Sequence, residues 1–378
     1  MKHLDEFRDP ELAQRLLEVI RKTATRKHIL MEVCGGQTHS LLRHGIESEL
    51  EEVVELIHGP GCPVCVTPVE SIDFAQRLAL RNDVTLTLFG DMLRVPGSRC
   101  SLQDVRAQGG RIQIVYSPLD AVELARKSPD RRIVFFAVGF ETTLPATALA
   151  VLQARSLQLQ NFTLLTAHVR VPPAMEAILS APGNRVEGFL AAGHVCTISG
   201  FESYRSMASR YRVPTAVTGF EPVDLLEGIL DVVRQLEAGR CEVTNHYARS
   251  VRPEGNPHAQ RMIEDVYEIA DQPWRGLGLI SEGGYALRND FQDFDARSRF
   301  VEDLIPDSAA ALGNECRSGE VLTGRLKPTE CPHFGTKCTP LTPLGAPMVS
   351  SEGACAAYYR YAGSPDFTRL RCPVVSAQ

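Results

Sequence analysis

Residues 5–27 place Leu12, Leu16, Leu17, Val19 and Ile20 in a helically spaced apolar stripe on an otherwise charged segment. From Ile29 onward the period changes. Short runs rich in Val, Ile, Leu and Phe follow one another, separated by stretches of helical spacing and by turns. The pattern predicts strands over residues 29–33, 53–57, 84–89, 112–116, 133–138, 162–167, 188–191 and 215–217. Helices are predicted between them, among others over 71–80, 118–127 and 144–157. Strand–helix alternation with near-continuous apolar strands implies an α/β fold whose parallel sheets are covered on both faces.

The Ser128-Pro129-Asp130 break divides these strands into two units, 28–128 and 129–237. A weak internal echo accompanies the division: Gly-Phe-Glu occurs at 139–141, 200–202 and 219–221, and two of the three directly follow a predicted strand. After about residue 238 the pattern becomes irregular and turn-rich, as in Trp274-Arg275-Gly276-Leu277-Gly278. A stretch this irregular needs a staple beyond its apolar core, so 238–378 is expected to form a separate cysteine-rich domain.

Composition narrows the class. Lys plus Arg number 40 against 46 Asp plus Glu, with no basic block, which argues against a nucleic-acid partner. No apolar run reaches the roughly 18 residues of a membrane span. The charged start Met1-Lys2-His3-Leu4-Asp5 lacks the apolar core of a signal peptide, so the expected location is cytoplasmic, where thiols stay reduced. Eleven cysteines is an odd count. It favours metal or reactive-thiol chemistry over a disulfide framework.

Two cysteine loops directly follow predicted strands, the position where ligands bind in open α/β sheets. Cys34-Gly35-Gly36-Gln37-Thr38-His39 follows the first, and its thiol has a helix start and an imidazole nearby in sequence. Gly59-Pro60-Gly61-Cys62-Pro63-Val64-Cys65 follows the second. A Cys-x-x-Cys opening a helix forms a redox disulfide or clamps a soft metal, and half of a zinc knuckle looks the same. Phosphate binding at Gly35-Gly36 is less favoured, because no P-loop lysine follows. Gly139-Phe140-Glu141-Thr142-Thr143 follows a third strand and offers a carboxylate and two hydroxyls, although Thr there commonly caps a helix. Asp91 and His194 also lie at strand ends, each equally well explained as a turn or structural residue.

Cys316, Cys331, Cys338 and Cys355 are spaced C-x14-C-x6-C-x16-C in a Gly/Pro-rich setting. Four thiolates suit a 4Fe–4S cluster or a zinc ion held by four sulfurs, and the absence of tight cysteine pairs favours the cluster. Cys100, Cys196, Cys241 and Cys372 read as inert thiols.

Together these segments resemble the HypD family of NiFe-hydrogenase maturation proteins. The resemblance runs nearly end to end. It rests on residues 34–39, 59–65, 89–97 and 139–143, Gly219-Phe220-Glu221-Pro222, and residues 274–278 and 348–355. It implies two Rossmann-like parallel-sheet domains around a cleft plus a third, irregular iron–sulfur domain, with the N-terminal helix (1–27) packed against that C-terminal domain. The implied role is a redox-active scaffold on which the Fe(CN)2CO group of the hydrogenase is assembled, rather than a conventional turnover enzyme. The implied partners are a HypC-type chaperone, HypE as cyanide donor with HypF, and, through HypC, the hydrogenase large subunit.

Carried over by motif, Cys34 would hold the iron together with a HypC cysteine, and His39 would orient or protonate groups near it. Cys62 and Cys65 would be the redox dithiol, Glu141 and Thr142 would share the cleft, and Cys316, Cys331, Cys338 and Cys355 would ligate the cluster. The chain departs from the family at Cys196, where relatives usually carry Ser. Two other functions compete: a cluster-dependent thiol–disulfide reductase carrying no iron–cyanide group, and a zinc-stapled binding module.

Overall fold

The computed structural model of the chain describes residues 5–304 and 315–361. The eight apolar runs become β1 (His28–Glu32), β2 (Val54–His58), β3 (Val84–Leu88), β4 (Ile112–Ile114), β5 (Arg132–Gly139), β6 (Phe162–His168), β7 (Gly188–Ala192) and β8 (Thr215–Thr218), each shifted at its ends by no more than a residue or two. A short β9 (Val243–Asn245) joins them. Two parallel sheets result, ordered β2-β1-β7-β8-β9 and β4-β3-β5-β6, as the α/β expectation requires.

Successive strand residues point to opposite faces, and both faces are covered. In the first sheet Leu30, Leu56, Leu190 and Ala216 pack against the helix Pro222–Glu237, while Met31, Ile57, Phe189 and Val217 fill the opposite core. In the second sheet Leu86, Val134, Phe136 and Leu165 face one side, and Ile133, Phe135 and Leu164 the other.

The boundary expected at 128/129 does not separate the sheets. β4 and β5 flank it and belong to the same sheet, whereas the first sheet is built from two pieces of chain, residues 28–58 and 188–245. The break is a tight loop pinned by Asn161, whose Nδ2 donates to the carbonyls of Ala125, Ser128 and Arg131. Pro and Asp mark a turn whether or not a domain ends there.

The N-terminal helix also lies elsewhere than expected. The helix Pro10–Thr23, capped by Asp9 and opened by Pro10, buries Leu17 and Ile20 in the core shared by the first sheet and the helix Pro222–Glu237, while Phe7 before it meets Arg249 of the C-terminal region. Beyond residue 238 the chain first completes the first sheet with β9. It then forms a long antiparallel hairpin, β10 (Tyr267–Trp274) and β11 (Gly278–Leu287). The hairpin escapes pattern reading because Glu268, Asp271, Gln272, Ser281 and Glu282 break up any apolar alternation.

One buried ion pair secures the helix that covers the first sheet. Asp224 is fully buried and accepts from Arg249 Nη1 and Nη2 at 2.6 Å each, and the guanidinium lies 3.6 Å from the ring centre of Phe7. Removing one partner of a buried pair leaves the other charge uncompensated, at a cost of about 3–5 kcal/mol. Arg249→Ala, which leaves the buried Asp224 carboxylate unpaired, is expected to lower the unfolding free energy by about that amount in urea denaturation. Arg15→Ala, which breaks the exposed pair with Glu11, is expected to change it by less than about 1 kcal/mol.

Candidate functional site

Strand order reverses between β1 and β7 in the first sheet and between β3 and β5 in the second, and ligands bind outside the carboxyl ends of strands at such switch points. Cys34 leaves β1 and His194 leaves β7, and Cys34 Sγ lies 3.6 Å from His194 Nδ1. Phe220 packs beside both: its ring centre is 5.5 Å from that of His194, and a Cβ on Gly36 would come within 3.1 Å of it. Cys34 is 2% exposed. Burial, reinforced by the Glu32 carboxylate, pushes its thiol far above the ordinary range, and the backbone N–H groups of Gln37 and Gly36 offset this only in part. Burial also pushes His194 down to about 4. At neutral pH the site therefore holds a protonated thiol facing a neutral imidazole.

His39 is not that imidazole. Its Nε2 meets the Tyr361 hydroxyl at 2.7 Å, ring edge to ring face. Five residues along the helix Gly35–Arg43 turn a side chain about 140° from Cys34, which carries His39 to a different face.

The second cysteine loop is locked to the first. Gly35 N donates to Gly61 O at 3.0 Å, and a Cβ on Gly61 would overlap the backbone of Cys34. Cys62 caps the short helix Pro63–Val66, its Sγ accepting from Cys65 N at 3.3 Å. Both are buried free thiols. Burial holds Cys65 well up, followed by Cys62 and by the charges of Cys355 and Glu352, so this dithiol borders the C-terminal cysteines.

Beneath both loops runs a buried polar chain. Glu32 and His58 end β1 and β2 and are paired in register. Glu32 accepts from Cys34 N at 2.7 Å and from the Thr38 hydroxyl, and it meets His58 Nδ1 at 2.8 Å. His58 Nε2 lies 3.4 Å from Glu47, which accepts from the Tyr358 hydroxyl at 2.6 Å. Burial alone would lower the His58 pKa. Hydrogen bonds to Glu32 and Glu47, with their charges, outweigh it and hold the pKa at about 9. The same contacts overcome burial at Glu47 and keep its carboxyl below the usual range.

Cys316, Cys331, Cys338 and Cys355 line one cavity with Leu344 and Met348. A Cβ on Gly345 would overlap Cys316 Sγ, and Leu344 N donates to Cys338 Sγ at 3.4 Å. Burial raises Cys338 and Cys355, and each is raised further by the charge of the neighbouring thiols. Such a set ionises together only around a multiply charged cation. Among the described residues no group of three His, Cys, Asp or Glu side chains is placed to hold a single metal ion. Four cysteines with a backbone N–H on sulfur suit an iron–sulfur cluster.

Glu141 makes its hydrogen bond to the backbone. It accepts from Val171 N at 3.2 Å, its second oxygen is buried without a partner among the described residues, and burial pushes it up to about 7. Thr142 is half-buried, and it is the neighbouring Thr143 whose hydroxyl meets His168 Nε2 at 3.1 Å. Cys196 is fully buried and pushed up to about 12, which suits an inert thiol, and Cys372 lies outside the described residues. Pattern reading left His194 undecided and did not single out Glu32, His58 or Arg275. The signal for Glu32 and His58 was a charged residue closing each of two otherwise apolar strands.

The geometry defines a class: an α/β protein of two parallel sheets whose thiol loops meet at a switch point, beside a cavity of four cysteines. The family model HypD, described as "Hydrogenase formation hypA family", matches residues 11–362. The chain is 46% identical to "Hydrogenase maturation factor HypD" of Rhodobacter capsulatus, covering 96% of this chain and 99% of the relative. The protein of the same name in Escherichia coli K12 is 44% identical over 96% of this chain and 98% of its own, and that of Cupriavidus necator 43% over the full length of both. The chain belongs to the HypD family of hydrogenase maturation factors. No helix among its described residues is long and apolar enough to cross a membrane.

The buried histidine implies alkaline sensitivity. Its pKa rises from 6.5 to about 9 on folding, so its contribution to stability is complete below pH 6.5 and is lost as pH rises through 9. The urea midpoint is expected to fall across that window, and His58→Asn is expected to be less stable and to flatten the fall. A wild-type profile flat from pH 6.5 to 9 would show that His58 is not charged in the folded chain.

Proposed function

We propose that this chain is the scaffold on which the iron of a NiFe-hydrogenase active site acquires its cyanide and carbonyl ligands before transfer. The observation that carries this reading is the Cys34 thiol, buried and protonated at the switch point of the first sheet, with His194 Nδ1 at 3.6 Å. A thiolate is a soft, strong donor suited to low-spin iron carrying such ligands. When Cys34 binds the iron cargo, its proton has an acceptor in place at His194 Nδ1. Glu32 fixes the Cys34 backbone meanwhile, and Phe220 holds the imidazole against the loop.

A single thiolate leaves iron positions open, which suits a second cysteine supplied by a HypC-type chaperone. Cyanide would come from HypE with HypF, and the finished unit would pass through HypC to the hydrogenase large subunit, all in the cytoplasm. Cys316, Cys331, Cys338 and Cys355 would hold a 4Fe–4S cluster, which supplies or accepts single electrons when bound. Cys62 and Cys65 close to a disulfide with release of two electrons and two protons, and their place beside Cys355 supports an exchange with that site. The same adjacency favours the competing reading, a cluster-dependent thiol–disulfide reductase.

An infrared spectrum of the anaerobically purified complex with its HypC partner separates the two. Cyanide and carbonyl stretches are expected, and a freshly isolated complex without them would favour the reductase. Cys34→Ala is expected to abolish these bands while leaving the visible absorption of the cluster. Hydrogenase matured by that variant would remove Cys34 from the iron site. A colourless, zinc-containing preparation would remove the cluster.

A further inference from the structure

The turn between β10 and β11, Trp274-Arg275-Gly276-Leu277-Gly278, has no role in the function above, yet it runs between the two sulfur sites. Arg275 N donates to the carbonyl of Val66, the residue after Cys65, at 2.8 Å. On the other side Gly276, at φ +85°, lies against the helix Ser318–Leu322, where its Cβ would be 2.9 Å from Gly319 Cα. That helix starts two residues after Cys316. Only glycine on both sides permits this approach. Buried Trp274 anchors the turn, its Nε1 donating to Gly283 O at 2.9 Å.

The Arg275 side chain is 8% exposed. Its Nη1 donates to Pro96 O at 2.9 Å, and its Nε is buried without a partner among the described residues. Burial pushes its pKa down, and the charges that oppose this are, in order, Cys316, Cys65, Asp73 and Glu70. A buried guanidinium with no carboxylate in ion-pair contact among the described residues is costly unless negative charge arrives beside it. Here the turn that carries it is fixed to the residue after Cys65 on one side and to the helix after Cys316 on the other.

We propose that Arg275 is the charge-balancing residue between the Cys62–Cys65 dithiol and the four-cysteine site, stabilising the negative charge that an added electron places there. This rests on the reading of those four cysteines as cluster ligands. A one-electron reductant charges the site twice in succession, and each electron passes on to the Cys62–Cys65 disulfide. With two electrons and two protons that disulfide opens to two thiols. Without this guanidinium each electron arrives against less positive charge, since among the described residues only Arg317 remains beside the cavity, so the electron affinity of the site falls.

The test uses the full chain with its cluster reconstituted anaerobically, and dithionite as reductant. The midpoint potential is read by dye-mediated titration followed by electron paramagnetic resonance. Arg275→Met keeps the apolar stem and removes the charge. It is expected to lose at least tenfold in electron affinity, about 59 mV more negative for one electron. Arg275→Gln is a second uncharged variant should Met disturb packing. Arg275→Lys retains the charge and is expected to stay within about threefold of wild type, about 28 mV. Wild-type potentials in the loaded uncharged variants, or an equal shift in Arg275→Lys, would overturn the proposal and leave the cluster reading intact. A wild-type chain that takes up no cluster would overturn both.

Discussion

His58 stands with one ring nitrogen on Glu32 and the other facing Glu47, out of water, and each carboxylate has a second task. Glu32 fixes the backbone of Cys34, which caps the helix Gly35–Arg43. Glu47 receives the hydroxyl of Tyr358, one turn along from Cys355 on the helix Ala354–Tyr361. The first cysteine loop and the helix that carries a C-terminal cysteine are thus tied through a single buried cation. Two carboxylates this close would repel each other without it, and burial would then favour their protonation. Gly61 closes the arrangement sterically, since any side chain there would displace Cys34.

The sulfur chemistry follows from the same shortage of water. Burial alone keeps Cys34, Cys65 and Cys355 protonated at neutral pH, and it keeps His194 neutral. The gap between the Cys34 thiol and the imidazole is far too wide for the proton to move between them unaided. A metal ion at the sulfur supplies the missing stabilisation, as it does for any coordinating thiol. The thiol is therefore quiet at neutral pH unless a cation reaches its sulfur. The same logic makes the buried guanidinium of Arg275 consequential, in addition to Arg317, which lines the four-cysteine cavity.

Local pattern was enough to place eight strands, since an apolar run of three to six residues leaves little choice once both faces of a sheet are buried. It was enough to identify Cys34, Cys62 and Cys65 as strand-end residues and to group the four C-terminal cysteines. It failed where the answer depended on which strands are neighbours. His39 is near Cys34 in sequence but turned away on its helix, while His194, 160 positions downstream, is the contact because β7 lies beside β1. The β10–β11 hairpin failed for another reason: its polar residues carry no alternation, and its stability comes from packing against the end of β6, where Val169 bridges Gly284.

The division into sheets has a consequence for how the site forms. The chain lays down β1 and β2, leaves to build all of β3 to β6, and returns for β7 to β9. Cys34 belongs to the outgoing piece and His194 to the returning one, so their contact depends on the pairing of β7 with β1 across all of the intervening chain. The cysteine pair sits on the outgoing crossing, between β2 and β3. Glu141 holds the returning one through Val171 N, directly after β6. The first sheet is not a continuous stretch of chain, and a cut at residue 128 would divide both sheets. The thiol, its imidazole and the dithiol are consequently a property of the whole α/β body, which is why a linear division by breaks in pattern could find the parts of the site without finding the unit that assembles them.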